Sequence, residues 1–179
     1  TYSFVSPAIF DSIRLPKDSA LRNAMRIQNP LGEDTSIMRT IALPSMLDIL
    51  SRNYNYHNKK VKLYELANIS LPGEGNELPA EPKMLVLGTY GEGTSFFTLK
   101  GQLEAILQGL RLPRAEYTAV KDNPSYHPGR CASVSINGEL LGYMGQVHPL
   151  VCKNYGLDTE VYCVEIDFSK LFTLRLPDP

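Results

Sequence analysis

The chain has 179 residues, a 43% hydrophobic share and a formal net charge of -1. That length suits one domain with a sizeable core or two small ones, and the apolar share excludes wholesale disorder. Near-neutral charge gives no global pull toward nucleic acid or a membrane surface, and no apolar run reaches the length that spans a bilayer.

Tyr2 to Val5 reads as a short strand. Ser6-Pro7 then offers a helix entry, with Ser as cap and Pro at the first helical position, and Pro16 stops the helix. Ala24 to Gln28 reads as a strand that enters the turn at Asn29-Pro30. Leu43, Met46, Leu47, Leu50 and Tyr54 recur at helical spacing, with Pro44 near the start, and predict an amphipathic helix. Burying three or four such side chains stabilises by roughly 1.5–3 kcal/mol each, so this helix needs a sheet or another helix to lie against.

Val61 to Ile69 reads as a strand, and Leu71 to Pro82, rich in Pro, Gly and Glu, as an exposed hairpin loop. Lys83 to Tyr90 is the return strand, with four consecutive apolar residues from Met84 to Leu87. Thr98 is the expected cap of a second helix, whose apolar face is Leu99, Leu103, Ile106, Leu107 and Leu110. Tyr117 to Val120 is a short strand. In the next strand Ala132, Val134 and Ile136 alternate with Cys131, Ser133 and Ser135. Asn137-Gly138 then matches a two-residue type I′ turn, which needs positive φ at both positions.

The strand after that turn, through Leu140, Leu141, Tyr143, Met144 and Val147, reads as buried on both faces. Gly142 and Gly145 within it mark a bulge or a close backbone approach. Pro149 opens a helix that Gly156 ends. Val161 to Phe168 is the last strand. Strands joined as hairpins imply antiparallel pairing. The class is therefore α+β: a mainly antiparallel sheet flanked by helices, with the helices expected on one side.

Chemistry is sparse. Three separated cysteines, Cys131, Cys152 and Cys163, without a C-x-x-C, fit reduced buried thiols in a cytoplasmic protein rather than a zinc site. The Gly88–Gly93 cluster is neither a P-loop nor a dinucleotide fingerprint and reads as a turn. Ser45, Ser51 and Ser135 lack the G-x-S-x-G setting, and Cys131 with His127 is a poor candidate for a nucleophile and base.

Glu165 and Asp167 share a strand face and could bind a metal or trade a proton. They read first as the solvated side of an edge strand. Arg39 and Arg130 read as holders of a buried carboxylate or carbonyl. Arg52, His57, Lys59, Lys60 and Lys62, interleaved with Tyr54 and Tyr56, form a basic cluster. It is either solvated surface or a contact for an RNA backbone.

Several segments match one family in order. They are Ile27-Gln28-Asn29-Pro30-Leu31, Ser36-Ile37-Met38-Arg39-Thr40, Leu43-Pro44 with Ser51-Arg52-Asn53, and Leu63-Tyr64-Glu65-Leu66. Then follow Phe97-Thr98-Leu99-Lys100-Gly101, His127-Pro128-Gly129-Arg130, Gly145-Gln146-Val147-His148-Pro149 and Glu165-Ile166-Asp167. Together they resemble the catalytic-like, class II synthetase-like region of the bacterial phenylalanyl-tRNA synthetase β subunit, over essentially the whole chain. Thr98 and Gln146 depart from it, standing where acids are common.

The resemblance implies that residues 1–179 are a single catalytic-like module of a longer β subunit. The lack of an initial Met and the Leu176-Pro177-Asp178-Pro179 end also read as cuts in a longer polypeptide. The implied enzyme is an α₂β₂ ligase that charges tRNA with phenylalanine using ATP and magnesium, with its active site in the α subunit. This region is expected to pack against that subunit, to be inactive alone, and to supply no catalytic, cofactor or metal residue. tRNA would be met through the whole complex. Asn29, Pro30, Arg39, His127, Pro128, Gly129, Arg130, His148 and Pro149 are then structural signature positions. Class II chemistry grips ATP with arginines, one within G-x-G-x-G-x-E-R, and the glycine cluster here runs into Thr94-Ser95 instead. Without such cations, charge developing at the α-phosphate would lack its usual stabilisation.

Overall fold

The computed structural model describes residues 1–75 and 77–174. Asn76, within the loop read from Leu71 to Pro82, and the terminal Leu176 to Pro179 lie outside the described residues. A two-stranded antiparallel ribbon pairs β1 (Phe4–Val5) with β2 (Ile37–Met38). Between them lies the short α1 (Ile9–Ser12). The main body is a six-stranded sheet. Its strands are β3 (Val61–Asn68), β4 (Lys83–Tyr90), β5 (Glu116–Ala119), β6 (Tyr126–Ile136), β7 (Glu139–Val147) and β8 (Val161–Asp167). Their spatial order is β3-β4-β8-β7-β6-β5, and every neighbouring pair is antiparallel. The helices are α2 (Leu43–Asn55), α3 (Phe96–Gly109), α4 (Pro149–Asn154) and α5 (Phe168–Leu174).

Both faces of the sheet are covered, which corrects the one-sided arrangement. On one face Met46, Leu47 and Leu50 of α2 pack with Val86, Tyr90, Val147 and Cys163. On the other, Leu99, Leu103 and Leu107 of α3 pack with Leu85, Leu87, Met144, Val164 and Ile166. Successive strand residues point to opposite faces, so the apolar run in β4 feeds both cores at once. The last strand in sequence, β8, is inserted between β4 and β7 and is buried almost throughout. The free edges are β3 and β5.

Asn137 and Gly138 have φ of 53° and 79°, as the type I′ turn requires. In β7 the register passes from Val134↔Gly142 to Ser135↔Leu140, leaving Leu141 as the bulged residue. A Cβ on Gly145 would meet the Arg130 carbonyl oxygen at 2.3 Å, so the strands approach there as only Gly permits. Three local expectations change. The first helix has Ala8 rather than Ser6 at its cap position and ends at Ser12, before Pro16 is reached. Ala24 to Gln28 forms no strand, only an isolated bridge of Arg26 with Ile37. The cap of α3 is Ser95 rather than Thr98. The Ser95 hydroxyl accepts from the Thr98 N–H at 3.2 Å, and the Thr98 hydroxyl accepts from the Ser95 N–H at 2.8 Å, a capping box.

Candidate functional site

The N-terminus of α2 has no side-chain cap from its own segment. Its orphan donors are met from the central strand. Glu165 Oε1 accepts from the Ala42 N–H at 2.9 Å, and Oε2 accepts from the Leu43 N–H at 2.8 Å. A helix N-terminus carries partial positive charge, so an anion belongs there. Glu165 is only 9% exposed, which overturns its reading as the solvated side of an edge strand. The strand is central, and this face meets α2. Burial pushes the Glu165 carboxyl up. The two N–H bonds and the Arg39 charge oppose that, and the net shift is upward.

Asp167 serves a similar end: its Oδ1 accepts from the Lys170 N–H at 3.1 Å in the first turn of α5. The two carboxylates are thus each committed to a helix start rather than to a shared metal. Among the described residues, no group of three His, Cys, Asp or Glu side chains could hold a metal ion.

Arg39, 2% exposed, completes the buried polar system. Its Nε donates to the Asn68 carbonyl at 2.9 Å, Nη1 to the Thr1 hydroxyl at 2.6 Å, and Nη2 to Glu65 Oε1 at 3.2 Å. It therefore holds both a carboxylate and a carbonyl, as its sequence reading supposed. Thr40 and the Leu21 carbonyl are hydrogen-bonded next to it. These contacts fix the segment leading into α2 against β3.

Along the outer side of α2 runs a groove of about 620 Å³, lined by Tyr2, Phe4, Ser45, Ile49, Arg52 and Tyr155. Tyr2 and Phe4 are 88% and 51% exposed at its lip. Such exposed aromatics around an amphipathic helix mark a surface that a partner could cover.

The signature segments are local architecture. His127 Nδ1 accepts from the Gly129 N–H at 3.0 Å, and His148 Nδ1 accepts from the Leu150 N–H at 3.1 Å. Both His-Pro steps thus use one device: the imidazole turns back on the backbone two residues on, and at His148 it caps α4. Burial, then the charges of Arg14 and His127, hold the His148 imidazole below its ordinary range, which keeps Nδ1 an acceptor. Arg130 holds neither a buried carboxylate nor a backbone carbonyl: its carboxylate partner, Glu160, is exposed, and its buried partner is the Gln146 amide. Arg130 is half-exposed, and its Nη1 donates to Gln146 Oε1 at 2.7 Å and Glu160 Oε1 at 3.1 Å, with Tyr162 Oη at 3.4 Å. Asn29 and Pro30 sit in an exposed bend.

The cysteines are free and buried. Burial, then Asp122, pushes the Cys131 thiol up to about 12, which leaves no thiolate for nucleophilic attack near neutral pH. The Gly91–Gly93 turn follows β4, with φ of 104° and 76° at its two glycines. Arg52, His57, Lys59, Lys60 and Lys62 are all exposed; Lys62 is on the edge strand β3 and Lys59 and Lys60 lead into it, whereas Arg52 is on α2 and lines the groove with Tyr2 and Phe4. Tyr54 is withdrawn from that cluster: its ring packs edge-on to Tyr90 at 5.9 Å, and its hydroxyl donates to the Asp158 carbonyl at 3.3 Å.

Sequence reasoning missed the Glu165–α2 contact. The one available signal was an α2 start at Ala42-Leu43-Pro44 without Ser, Thr, Asp or Asn, which leaves its donors to be met from elsewhere.

Comparison with known proteins agrees with this geometry. The family model described as the phenylalanyl tRNA synthetase beta chain CLM domain matches residues 1–168. The phenylalanine–tRNA ligase beta subunit of Clostridium acetobutylicum is 44% identical over 95% of this chain and 22% of its own length. That of Geobacter metallireducens is 38% identical over 96% of this chain and 23% of its own. The chain thus spans about a fifth of the length of these relatives. A pyrrolysyl-tRNA synthetase from Desulfitobacterium hafniense superposes with a TM-score of 0.76 over 97% of this chain and 61% of that one. At 11% identity, that likeness concerns the fold, the class II aminoacyl-tRNA synthetase core. With a matching family model over nearly its full length and close relatives in several bacteria, the chain belongs to the phenylalanyl-tRNA synthetase beta chain CLM domain family.

Proposed function

We propose that this domain is a non-catalytic packing module of a phenylalanine–tRNA ligase β subunit, which supports assembly with the catalytic α subunit. The observation that carries the reading is the commitment of the core's charged groups to structure. Glu165 holds two backbone N–H groups of α2, and Arg39 holds Asn68, Thr1 and Glu65. A cation needed to draw charge from a reacting phosphate must be aimed at it, and Arg39 is aimed at protein. In this reading ATP and magnesium belong with the α subunit. The assembled enzyme charges tRNA with phenylalanine in the cytoplasm. Among the described residues no helix is long and apolar enough to cross a membrane.

The groove beside α2, with Tyr2, Phe4 and Ile49, is the contact surface we assign to the α subunit. The domain should co-purify with a phenylalanyl-tRNA synthetase α subunit while showing no phenylalanine-dependent ATP–pyrophosphate exchange alone. Phe4→Asp with Ile49→Asp should abolish co-purification without lowering the domain's own unfolding midpoint by more than a few degrees. Robust exchange by the pure domain, or capture that the double variant leaves intact, would end the corresponding half of the proposal.

A further inference from the structure

One charged surface is left over by the packing role. No Asp or Glu occurs between Asp48 and Glu65, while Arg52, Lys59, Lys60 and Lys62 fall inside that interval. In a chain of net charge -1 this is a local reversal of sign. Arg52 faces Asp48 one turn back on α2. Among the described residues, Lys59, Lys60 and Lys62 enter no ion pair with an acid. Glu92, exposed on the adjoining turn, is an acid next to them in the fold.

The backbone under these lysines is fixed. The Asn58 carbonyl accepts from the Tyr90 hydroxyl at 2.8 Å, and the Val61 carbonyl accepts from the Thr89 hydroxyl at 2.9 Å. Between them the Lys59–Lys60 backbone lies tight on the Gly91 turn, where a Cβ would meet the Lys59 carbonyl oxygen at 2.4 Å. Three ammonium groups thus project from a rigid segment about 10 Å long, at roughly 3.3 Å per extended residue. Exposed aromatic rings flank them. Tyr56 is 75% exposed before the lysines, and Tyr64, 76% exposed, shares the Lys62 face of β3.

We propose that this ridge, Lys59, Lys60 and Lys62 between Tyr56 and Tyr64, is a contact for the phosphate backbone of tRNA. This deepens the assignment to a tRNA ligase and rests on it. Held cations without acid partners suit a polyphosphate, because each phosphate neutralised releases counterions. Exposed rings beside them suit unstacked bases. Tyrosines also serve protein interfaces, so the choice of RNA rests on the cations: three lysines in a four-residue stretch with no acid partner match the repeated charge of a phosphate backbone.

The test uses the full-length β subunit in complex with its α subunit. Lys59→Glu, Lys60→Glu and Lys62→Glu together should raise the KM for tRNA at least tenfold. ATP–pyrophosphate exchange, which needs no tRNA, should stay within twofold of wild type. The neutral version, with Gln at all three positions, should lower the slope of log Kd for tRNA against log salt by about 2–3, near one for each lost phosphate contact. Arg at all three positions should restore binding. An unchanged KM and salt slope would overturn the ridge assignment alone. Loss of complex assembly in the Glu variant would overturn it in favour of a protein contact. A wild-type complex that fails to form would instead refute the packing role.

Discussion

Glu160 and Glu165 are five residues apart on either side of the start of β8, and their environments are opposed. Glu160 is exposed, accepts from the Tyr162 hydroxyl at 2.8 Å and pairs with Arg130 at 3.1 Å. The Tyr162 hydrogen bond, with Arg130 beside it, holds its carboxyl below the ordinary range against the opposing effect of burial. Glu165 is enclosed, has two backbone N–H partners and is held above that range by burial. The same functional group is therefore surface decoration at one site and a structural joint at the other. What differs is water: an exposed pair is screened and mobile, whereas a buried acceptor leaves unsatisfied donors behind when it is removed.

The largest effect that would sharpen this contrast is loss of the joint. Glu165→Ala leaves two buried N–H groups without acceptors and should lower stability by about 2–6 kcal/mol, at roughly 1–3 for each orphaned donor. Urea unfolding of the domain checks this; a loss below about 1 kcal/mol would mean that α2 does not depend on β8 for its start.

The next test is pH, where the two carboxylates act with opposite sign. Glu165 has a folded pKa above its unfolded value, so the folded state takes up that proton first. Its contribution to stability is fully present below the unfolded pKa and is lost as pH rises through the folded one. Glu160 has a lowered folded pKa. Its contribution is present above the unfolded pKa and is lost as pH falls through the folded one. Unfolding free energies of Glu165→Gln and Glu160→Gln, each referenced to wild type between pH 3 and 8, should therefore diverge with slopes of opposite sign. Parallel curves would break the comparison. Smallest of all, Glu160→Ala should cost under about 1 kcal/mol at neutral pH, as exposed ion pairs do, and less at high salt.

The elements were legible wherever their signal is local. The period of Leu43, Met46, Leu47 and Leu50, the Asn137-Gly138 turn and the full span of β4 all follow from neighbours in sequence. What stayed hidden depends on the spatial order of strands. An alternating strand carrying Glu165 and Asp167 has the pattern of an edge, and only its insertion between β4 and β7 turns that face inward. The four apolar residues Met84 to Leu87 already required burial on both faces, and helices on two sides are the consequence. At α3 the pattern Ser95-x-x-Thr98 is a capping box with Thr in place of Glu or Gln, so the cap was read three residues late. At the site itself, Arg39 was read for the right kind of partner because an arginine ahead of a helix has few other uses inside a fold. The partner of α2 was not, since nothing near Ala42 in sequence points to a residue 123 positions downstream.

The central position of β8 also orders events in time. While the ribosome is still supplying the chain, β4 and β7 each present an open row of amide and carbonyl groups with no strand between them. The α2 helix meanwhile waits for the carboxylate that closes its first turn. Synthesis of residues 161–167 joins both halves of the sheet and seats α2 in one step. Of its two pairings, the one with β4 closes the longer stretch of chain, and pairing between distant segments is the slower to form.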